Sequence, residues 1–538
     1  MKILSEIYKH ADSTDWALIN KNSGLNYEKL IDLSGRLAFY LESELGEDKK
    51  PIVVYGHKSV YMLICFLAVV RSGRAYCPVD VSLPTERVKS IIEELGNPLV
   101  LAVEDLDLEY PSIFDFNKIT SVLENTENHI DPSLAVKDDD IFYIIFTSGS
   151  SGKPKGVKIS ENCLSNFVNW AITLDKSLSS KNLVIINQAP FSFDLSVMDL
   201  YISLCLGATL WALEKDIQLD IKKLFISLKK SNANVWVSTP SFVKMCLSDR
   251  KFNQDLLPHM SLFLFCGETL PNDTVEKLFD RFPNASVINT YGPTESTVAV
   301  TSLKITKEIN EKYRPLPLGI AKEGTHIFIT DENGNKLEDG KSGEILIAGD
   351  TVSLGYFNNE DLSKQKFSTL EHNNKTYRRL VPKLELQGLT TEAVCKYREG
   401  EKRGNSGDWN KSRTYKTGDE GYIRDGMLFY KGRLDLQIKL HGYRIEIEDI
   451  ESNLLKSDKI DQAVVIPIEK NDEIKSLTAF VVPNFEVTDS FKNSQMLKKE
   501  LSEFFPSYMI PKKFIFLQSI PMTSNGKSDR KILKGMLA

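Results

Sequence analysis

The sequence predicts an α/β fold, with a large N-terminal domain of α/β sheets that carries a small β-barrel subdomain, and a small mobile α+β C-terminal domain. A chain of 538 residues is too long for one hydrophobic core, so at least two domains are expected. From residue 51 to 103, strand-like and helix-like runs alternate, which indicates a mostly parallel sheet covered on both faces. From about 315 to 358, short alternating strands and turns indicate antiparallel structure. We therefore predict domains at 1–434 and 435–538, with the β-rich subdomain at about 315–434.

Individual elements follow from apolar runs of strand length and from apolar residues at helical spacing. Residues 1–50 predict two helices around a short strand. Further strands are expected at 51–55, 75–79, 98–103, 141–146, 183–186, 235–237, 262–265 and 287–289, and helices at 59–70 and 86–95. Near the C-terminus we expect a hairpin at 422–430, helices at 446–455 and 494–505, and strands at 460–468, 477–483 and 513–517.

Residues 378–413 interrupt this pattern with many charges, several glycines and prolines, and weak periodicity. Thr376–Arg378 before the segment resembles Thr414–Lys416 after it, so the segment looks inserted between two copies of one strand start. A structureless loop of this length is uncommon in a compact domain. We predict an atypical insertion, disordered or locally rearranged, without a direct catalytic role.

The composition excludes several classes of function. Hydrophobic residues make up 42% and charged residues 26% of the chain, and the net charge is −6, which gives no basis for nucleic-acid binding. The longest apolar run, Val60–Val70, is too short to span a bilayer, and the N-terminus lacks a signal-peptide core. Seven cysteines contain no Cys-x-x-Cys pair. These features predict a cytoplasmic protein without stable membrane insertion, disulfide framework or structural zinc.

A polar, glycine-rich loop follows the strand predicted at 141–146. Glycines let the backbone approach a ligand closely, while hydroxyls, N–H groups and lysines suit phosphate oxygens. The spacing does not match a P-loop, and a flexible surface loop is the alternative interpretation. The candidate phosphate-binding residues are Thr147, Ser148, Gly149, Ser150, Ser151, Gly152 and Lys153.

Polar turns follow four other predicted strands. They contain Asp194, Ser238, Cys266 and the run Asn289–Glu295. Ligands of open α/β sheets bind beyond the carboxyl ends of the strands, so these turns and the glycine-rich loop are candidates for one site.

Five motifs in order resemble the adenylate-forming superfamily of acyl-CoA synthetases, peptide-synthetase adenylation domains and luciferases. Each motif is weak alone, but five in order over most of the chain are specific. They are the 147–156 loop, Asn289–Glu295, Tyr415–Asp419, Gly432–Asp435 and Asn525–Lys527.

Further motifs are similar to those of the D-alanine-activating ligases within this superfamily. They lie at 187–198, 238–242, 265–268 and 437–444. This resemblance implies ATP and Mg²⁺ as cofactors and two half-reactions. D-alanine would attack the α-phosphate of ATP to give D-alanyl-AMP, and the phosphopantetheine thiol of a D-alanyl carrier protein would then take the D-alanyl group. In Gram-positive bacteria that group serves D-alanylation of lipoteichoic acid in the cell wall.

The resemblance also implies a nucleotide site. Tyr291 would offer a face to adenine and Asn289 a polar edge, while Asp419 would accept hydrogen bonds from the ribose. Thr294 would donate to the α-phosphate. The remaining residues implied at this site are Thr290, Gly292, Pro293, Tyr430, Lys431, Gly432 and Arg433.

Two charged residues are expected to act on the phosphates. Glu295 is a hard oxygen ligand for Mg²⁺. Lys527 lies in a Gly/Asn-rich turn, from which its ammonium could contact both the attacking carboxylate and the α-phosphate. With Thr294, these residues are the predicted catalytic group. The alternative interpretations are that Lys527 is an ordinary exposed lysine and that Glu295 is an acid near the start of a helix.

Substrate selection is assigned to three residues together with Lys527. Asp194 would pair with the ammonium of D-alanine, and Cys266 and Val298 would form a wall for its methyl group. A buried core thiol is the alternative for Cys266. Asp435 is the candidate hinge, because a lysine used in one half-reaction requires the C-terminal domain to reorient.

Two alternative functions remain at this point. The first is an adenylating enzyme for another small amino acid, or an acyl-CoA synthetase; Asp194 argues against a fatty-acid substrate. The second is a catalytically poor binding or regulatory protein that keeps the fold, supported only by the segment at 378–413, which enters just before Asp419.

Overall fold

A computed structural model of the protein describes residues 2–148, 154–371, 411–440, 443–470, 473–487, 489–522 and 528–537. Strands and helices alternate through most of the chain, which confirms the predicted α/β class. The strands form five sheets, of nine, six, five, three and two strands, within the described residues.

The first part of the chain builds the whole six-stranded sheet. Helices α1–α5 span Ile3–Tyr8, Tyr27–Leu45, Val60–Arg71, Thr85–Glu94 and Phe116–Asn125, and strands β1–β8 span Trp16–Ile19, Gly24–Asn26, Ile52–Tyr55, Tyr76–Val79, Val100–Ala102, Ile113–Phe114, Ile141–Thr147 and Lys155–Ser160. The sheet order is β6-β5-β3-β4-β7-β8. All neighbours are parallel except β7 and β8, which form an antiparallel pair. The glycine-rich loop therefore connects the two strands of a hairpin.

The middle of the chain builds the nine-stranded sheet. Helices α6–α12 span Glu161–Ala171, Leu195–Leu206, Lys215–Gln218, Ile221–Ser231, Pro240–Cys246, Asn272–Arg281 and Lys307–Lys312, and strands β9–β15 span Val184–Asn187, Thr209–Ala212, Val235–Ser238, Leu262–Phe265, Ser286–Tyr291, Thr301–Ile305 and Ile320–Ala321. The order is β15-β14-β13-β12-β11-β9-β10-β1-β2. Strands β9, β11, β12 and β13 are parallel neighbours, so their carboxyl ends share one edge.

The β-rich region forms an antiparallel sheet. Helix α13 spans Glu360–Lys366, and strands β16–β20 span Thr325–Thr330, Gly343–Gly349, Phe367–Glu371, Lys411–Arg424 and Met427–Arg433. The order is β16-β17-β19-β18, with β20 paired to β19. Within the predicted hairpin, Asp425 and Gly426, at φ 52° and 72°, form a two-residue turn, which requires the left-handed region at both positions. Of the predicted insertion, 378–410 lies outside the described residues, and Lys411–Arg413 already belong to β19.

The C-terminal region has its own sheets and core. Strands β21–β25 span Gln437–Leu440, Tyr443–Glu446, Ile460–Lys470, Glu473–Pro483 and Lys513–Phe516, and helices α14–α16 span Ile447–Leu454, Ser490–Ser502 and Arg530–Gly535. Strands β21 and β22 form a hairpin, and β23-β24-β25 form a three-stranded sheet. A separate apolar cluster includes Ile445, Ile450 and Val465. The boundary at Asp435 stays a prediction.

The largest apolar core joins the nine- and six-stranded sheets. Helix α3 is buried along almost its whole length, and its residues pack with Phe142 of β7 and Ile185 of β9. Ser59 begins this helix by accepting a hydrogen bond from the N–H of Tyr61. The two sheets therefore share one apolar core around α3.

Two details differ from the predictions, and one pairing was not predicted. Strands β1 and β2 pair within the nine-stranded sheet with a later strand and with each other, and not with their sequence neighbours β3 and β4. The first 50 residues contain two strands and not one. Strand β13 continues to Tyr291, two residues beyond the predicted end, because it pairs along its length with β14.

No helix among the described residues combines the length and the apolar character needed to cross a membrane.

Candidate active site

The candidate substrate pocket forms where α7 begins. Asp194 lies directly before α7 and is buried, and its Oδ2 accepts a hydrogen bond of 2.6 Å from the hydroxyl of Thr294. Burial raises the pKa of Asp194 to about 6, against the opposing effects of Thr294, Lys439 and Arg444. The Thr294 hydroxyl was predicted to contact the α-phosphate. In this arrangement it orients the Asp194 carboxylate of the substrate pocket.

Cys266 and Val298, the two residues predicted to form the pocket wall, contact each other. The Cys266 thiol is buried and donates to the carbonyl oxygen of Val298 over 3.7 Å. Burial raises the pKa of this thiol, so it stays protonated and acts as a wall. Val298 has φ 66°, a rare conformation for a β-branched residue, and strain of this kind is commonly held at ligand sites.

One cavity brings the predicted substrate-pocket residues together with several of the predicted nucleotide-site residues. It joins the substrate-pocket side chains to nucleotide-site residues and to the hairpin of β21 and β22. Its lining includes Asp194, Cys266, Thr294, Val298, Asp419, Arg433, Gln437, Lys439 and Arg444.

The predicted ribose acceptor is held by two neighbours. Asp419 Oδ2 accepts a 2.5 Å hydrogen bond from the hydroxyl of Tyr291, and Oδ1 accepts one of 2.9 Å from Arg433 Nη1. Asp419 and Arg433 face each other in the register of β19 and β20. Burial raises the pKa of Tyr291, and the adjacent Asp419 raises it further. The Tyr291 hydroxyl therefore stays protonated and acts as a hydrogen-bond donor.

Other nucleotide-site candidates are anchored in the fold. Asn289 Nδ2 donates to the carbonyl oxygen of Pro317 at 2.9 Å, and Thr290 donates to that of Phe265 at 2.8 Å. At Gly292 a Cβ would lie 2.6 Å from the Cα of Ala299, so only glycine fits there. These contacts fix the turn that carries the rest of the motif, including Pro293.

The candidates on β20 divide between buried and exposed positions. Burial raises the pKa of the Tyr430 hydroxyl. Lys431 is half-exposed and pairs with Glu420 at 2.7 Å, and Gly432 has open space where a Cβ would project. In this arrangement Lys431 therefore forms an ion pair at the protein surface.

At the phosphate end, Thr147 and Ser148 are described, whereas Gly149, Ser150, Ser151, Gly152 and Lys153 lie outside the described residues. The buried hydroxyl of Thr147 has no hydrogen-bond partner among the parts of the chain that the structure describes. A buried hydroxyl normally has a partner, so this position fits an incoming phosphate oxygen. Ser148 instead contacts Arg444 and Glu446 of β22.

Glu295 is fully buried between a hydroxyl and a guanidinium. Its Oε1 accepts from Tyr356 at 2.8 Å and its Oε2 from Arg444 at 2.5 Å. Burial raises the pKa of Glu295, but Arg444 and Lys155 outweigh this effect and lower the pKa to about 2. The group is thus an ionised oxygen ligand, which fits the predicted Mg²⁺ site.

Asp435 is linked to the ribose acceptor through Arg433. The guanidinium contacts both oxygens of Asp435, at 2.8 and 2.5 Å, while its Nη1 contacts Asp419. Burial raises the pKa of Asp435, but the bond from Arg433 outweighs it and lowers the pKa. The hinge candidate is therefore an ion-paired residue. Lys527 lies outside the described residues.

Sequence reasoning missed four side chains that surround the predicted residues. They are Lys155, Tyr356, Lys439 and Arg444. Two of them, Lys439 and Arg444, lie in the motif at 437–444, which contributed to the resemblance. That motif could have identified them, but none of its residues was assigned to the site. Tyr356 is far from Glu295 in sequence, and no motif marks it.

Comparisons with known proteins agree with this geometry. The family model of AMP-binding enzymes matches residues 8–357, and that of the AMP-binding enzyme C-terminal domain matches residues 449–527. Among solved structures, the Vibrio cholerae adenylation domain AlmE in complex with glycyl-adenosine-5′-phosphate superposes with a TM-score of 0.75, at 21% identity, over 99% of this chain and 96% of that chain. The o-succinylbenzoate CoA synthetase MenE of Bacillus subtilis superposes with a TM-score of 0.78, at 19% identity, over 98% of both chains. These two matches establish the fold.

The fold and the family model together define an AMP-binding enzyme. Curated relatives narrow this class. The D-alanine–D-alanyl carrier protein ligase of Bacillus cytotoxicus is 45% identical over 99% of both chains, and that of Bacillus anthracis is 44% identical over the same shares. The chain belongs to the D-alanine–D-alanyl carrier protein ligase family, which confirms the resemblance found in the sequence.

Proposed function

We propose that this protein uses ATP to convert D-alanine to D-alanyl-AMP and then transfers the D-alanyl group to the phosphopantetheine thiol of a D-alanyl carrier protein, for D-alanylation of lipoteichoic acid. The observation that carries this proposal is the buried, oriented Asp194 beside the small wall of Cys266 and Val298, in one cavity with the ribose-side pair Asp419 and Arg433. A cytoplasmic location belongs to the same proposal.

The substrate pocket supports selection of a small amino acid. Asp194, held by Thr294, offers one carboxylate to an ammonium group, and an acid without an amine would leave that carboxylate unpaired. The neutral Cys266 thiol and the Val298 side chain leave room for a small side chain. Selection for the D-enantiomer rests on membership of the family.

The nucleotide end supports adenylation. Asp419 would bind the ribose hydroxyls, and Thr147 and the loop after it would bind the β- and γ-phosphates. Glu295 would hold Mg²⁺, which would neutralise charge on the phosphates. Lys527 would contact the attacking carboxylate and the α-phosphate in the first half-reaction only, so the domain at 435–538 would reorient about Asp435 before transfer.

The experiment is pyrophosphate exchange into ATP, measured with D-alanine, L-alanine, glycine and acetate, followed by mass spectrometry of a phosphopantetheinylated carrier protein incubated with D-alanine and ATP. We expect the fastest exchange with D-alanine and a mass increase of one alanyl group on the carrier. Equal exchange with L-alanine or glycine would favour another small-amino-acid ligase, and exchange with acetate alone would contradict the assignment of Asp194.

A further inference from the structure

Helix α9 has one buried side and one basic side. Leu224 and Leu228 belong to the same apolar cluster as Trp236 of β11. The opposite side is exposed and has Ile226 at its centre, with lysines three and four residues before and after it. Residues three and four apart are neighbours on a helix, so four ammonium groups surround one aliphatic side chain. We call this set the α9 surface; it consists of Lys222, Lys223, Ile226, Lys229 and Lys230.

The protein itself does not neutralise the charge of the α9 surface. Among the described residues none of its four lysines takes part in a salt bridge, and α9 contains no acid. The two acids that precede α9 most closely have other partners. Asp216 pairs with Lys21 at 2.9 Å. Asp220 begins the helix by accepting hydrogen bonds from the N–H groups of Lys222 and Lys223. The excess of positive charge therefore favours an anionic partner.

Exposed aliphatic side chains accompany the lysines. Ile226 is 58% exposed, and Leu219 and Ile221, at the start of the helix, are 79% and 37% exposed. Burial of such side chains against a partner is favourable, because it removes apolar area from water. Lysine stems can also lie along apolar material while their ammonium groups contact anions. The α9 surface therefore fits a partner whose negative charges lie directly above an apolar layer.

A protein and a nucleic acid fit this surface less well. Protein interfaces are enriched in aromatic residues and arginine and depleted in lysine, and single-stranded nucleic acid stacks its bases on aromatic rings. The α9 surface contains neither an aromatic residue nor an arginine. Phe225, the aromatic residue of α9, packs against Phe252 instead. A phospholipid bilayer has both required layers, phosphates outside and acyl chains below.

We propose that the α9 surface binds an anionic phospholipid membrane. The four ammonium groups contact lipid phosphates, and Ile226 and Leu219 enter the interfacial layer. The association is peripheral, and each lysine strengthens it roughly fivefold. None of these residues lines the candidate active-site cavity. The inference therefore does not rest on the proposed function.

Co-sedimentation of the full-length protein with lipid vesicles tests the proposal. The wild-type protein should bind vesicles of phosphatidylglycerol mixed with phosphatidylcholine, should not bind vesicles of phosphatidylcholine alone, and should dissociate as salt is added. Replacement of all four lysines of the α9 surface by glutamine should lower the partition coefficient by about 100-fold or more. Ile226→Ser should lower it about fivefold, because the apolar contribution is lost while the charge remains.

The matched control changes the net charge by the same amount at other places. It replaces four exposed lysines outside α9 by glutamine, namely Lys89, Lys181, Lys277 and Lys307. This control should bind the anionic vesicles nearly as well as the wild type. An equal loss of binding in the control would overturn the proposal, because net charge and not the α9 surface would then explain the binding.

Two other results would also overturn the proposal. One is a wild-type protein that does not bind the anionic vesicles. The other is binding to polyglutamate or to an oligonucleotide that is tighter than binding to the vesicles and unchanged in Ile226→Ser, which would assign the surface to an acidic protein or a nucleic acid. Thermal unfolding shows whether each variant is folded. If the variant without the four lysines does not fold, Ile226→Ser and the lipid dependence of the wild type decide.

Discussion

Among single residues, Asp194 has the most specific task in the proposed reaction. It is the buried carboxylate that would meet the substrate ammonium, and the Thr294 hydroxyl already occupies one of its oxygens. Asp194→Asn should reduce kcat/KM for D-alanine by about 30-fold or more, since a hydrogen bond to a charged group contributes ~1.5–3 kcal/mol and the ion pair is lost as well. The KM for ATP should change little. Steady-state exchange kinetics measure both constants. A change in the KM for ATP larger than the change in kcat/KM for D-alanine would contradict the assignment.

Asp194 also predicts a pH dependence. Burial raises its pKa to about 6, so the carboxylate is charged above that pH and neutral below it. Only the charged form attracts an ammonium, so kcat/KM for D-alanine should rise with pH through about 6 and then level. A profile from pH 5 to 8 tests this, with Asp194→Asn as the control that should lose this step. An unchanged step in Asp194→Asn would assign the titration to another group.

At the scale of elements, the start of α3 supports the turn that leads to Asp194. Lys58, two residues before α3, is 1% exposed. Its ammonium donates to the carbonyl oxygens of Asn187 and Ala189 at 2.9 and 2.7 Å, at the end of β9. Asn187 in turn donates to Asp199 of α7 at 2.8 Å. The buried amine of Lys58, whose pKa burial lowers to about 7, thus ties the strand end to the helix that Asp194 precedes.

We expect Lys58→Met to destabilise the protein by about 3 kcal/mol, because removal of the donor from a buried hydrogen-bonded network leaves its acceptors without a partner. The turn should also lose its fixed position, so the KM for D-alanine should rise more than the KM for ATP. Thermal unfolding and exchange kinetics measure the two effects. Lys89→Met, at an exposed position on α4, is the matched control. A KM for D-alanine equal to that of the control would contradict the positioning role.

The β18–β19 pair permits another element-scale prediction. Glu371 and Lys411 face each other in an antiparallel register, so 372–410 connects two adjacent strands that a two-residue turn could join. Replacement of 372–410 by Asn-Gly should keep D-alanine-dependent exchange, and should not lower the unfolding midpoint, since a shorter loop costs less entropy to close. Exchange and thermal unfolding of the shortened protein test this. Loss of exchange in a folded variant would assign the segment a functional role and contradict the prediction that it has no direct part in catalysis.

For the whole molecule, the proposed reaction requires two arrangements of the C-terminal region. The structure places the β21–β22 hairpin of that region in the site, with Arg444 on Glu295 and Tyr443 near Phe193. Lys527→Ala should lower pyrophosphate exchange by about 100-fold or more, the typical cost of an oxyanion donor, and should keep transfer from supplied D-alanyl-AMP. Parallel assays of the two half-reactions check this. Normal exchange in Lys527→Ala would remove Lys527 from the adenylation step.

Much of the fold could be predicted from local patterns. The apolar run of α3, the alternation through β3–β5 and the Asp425-Gly426 turn each depend on neighbours in sequence, so periodicity and turn chemistry revealed them. The pairing of β1 with β10 could not be predicted, because the two strands are far apart in sequence. Local patterns contain no information on such a pairing.

The sequence by itself determined the class of enzyme and the residue types of the site. The order of five motifs indicated the class, and the structure places the candidates Asp194, Cys266 and Val298 in one cavity with Asp419. Only the tertiary structure decided which groups face them. The bond from Thr294 to Asp194 and the contact of Arg444 with Glu295 join residues 100 and 149 positions apart. Partners so distant in sequence are chosen by packing and by the need of each buried charge for a counter-charge, which no local pattern records.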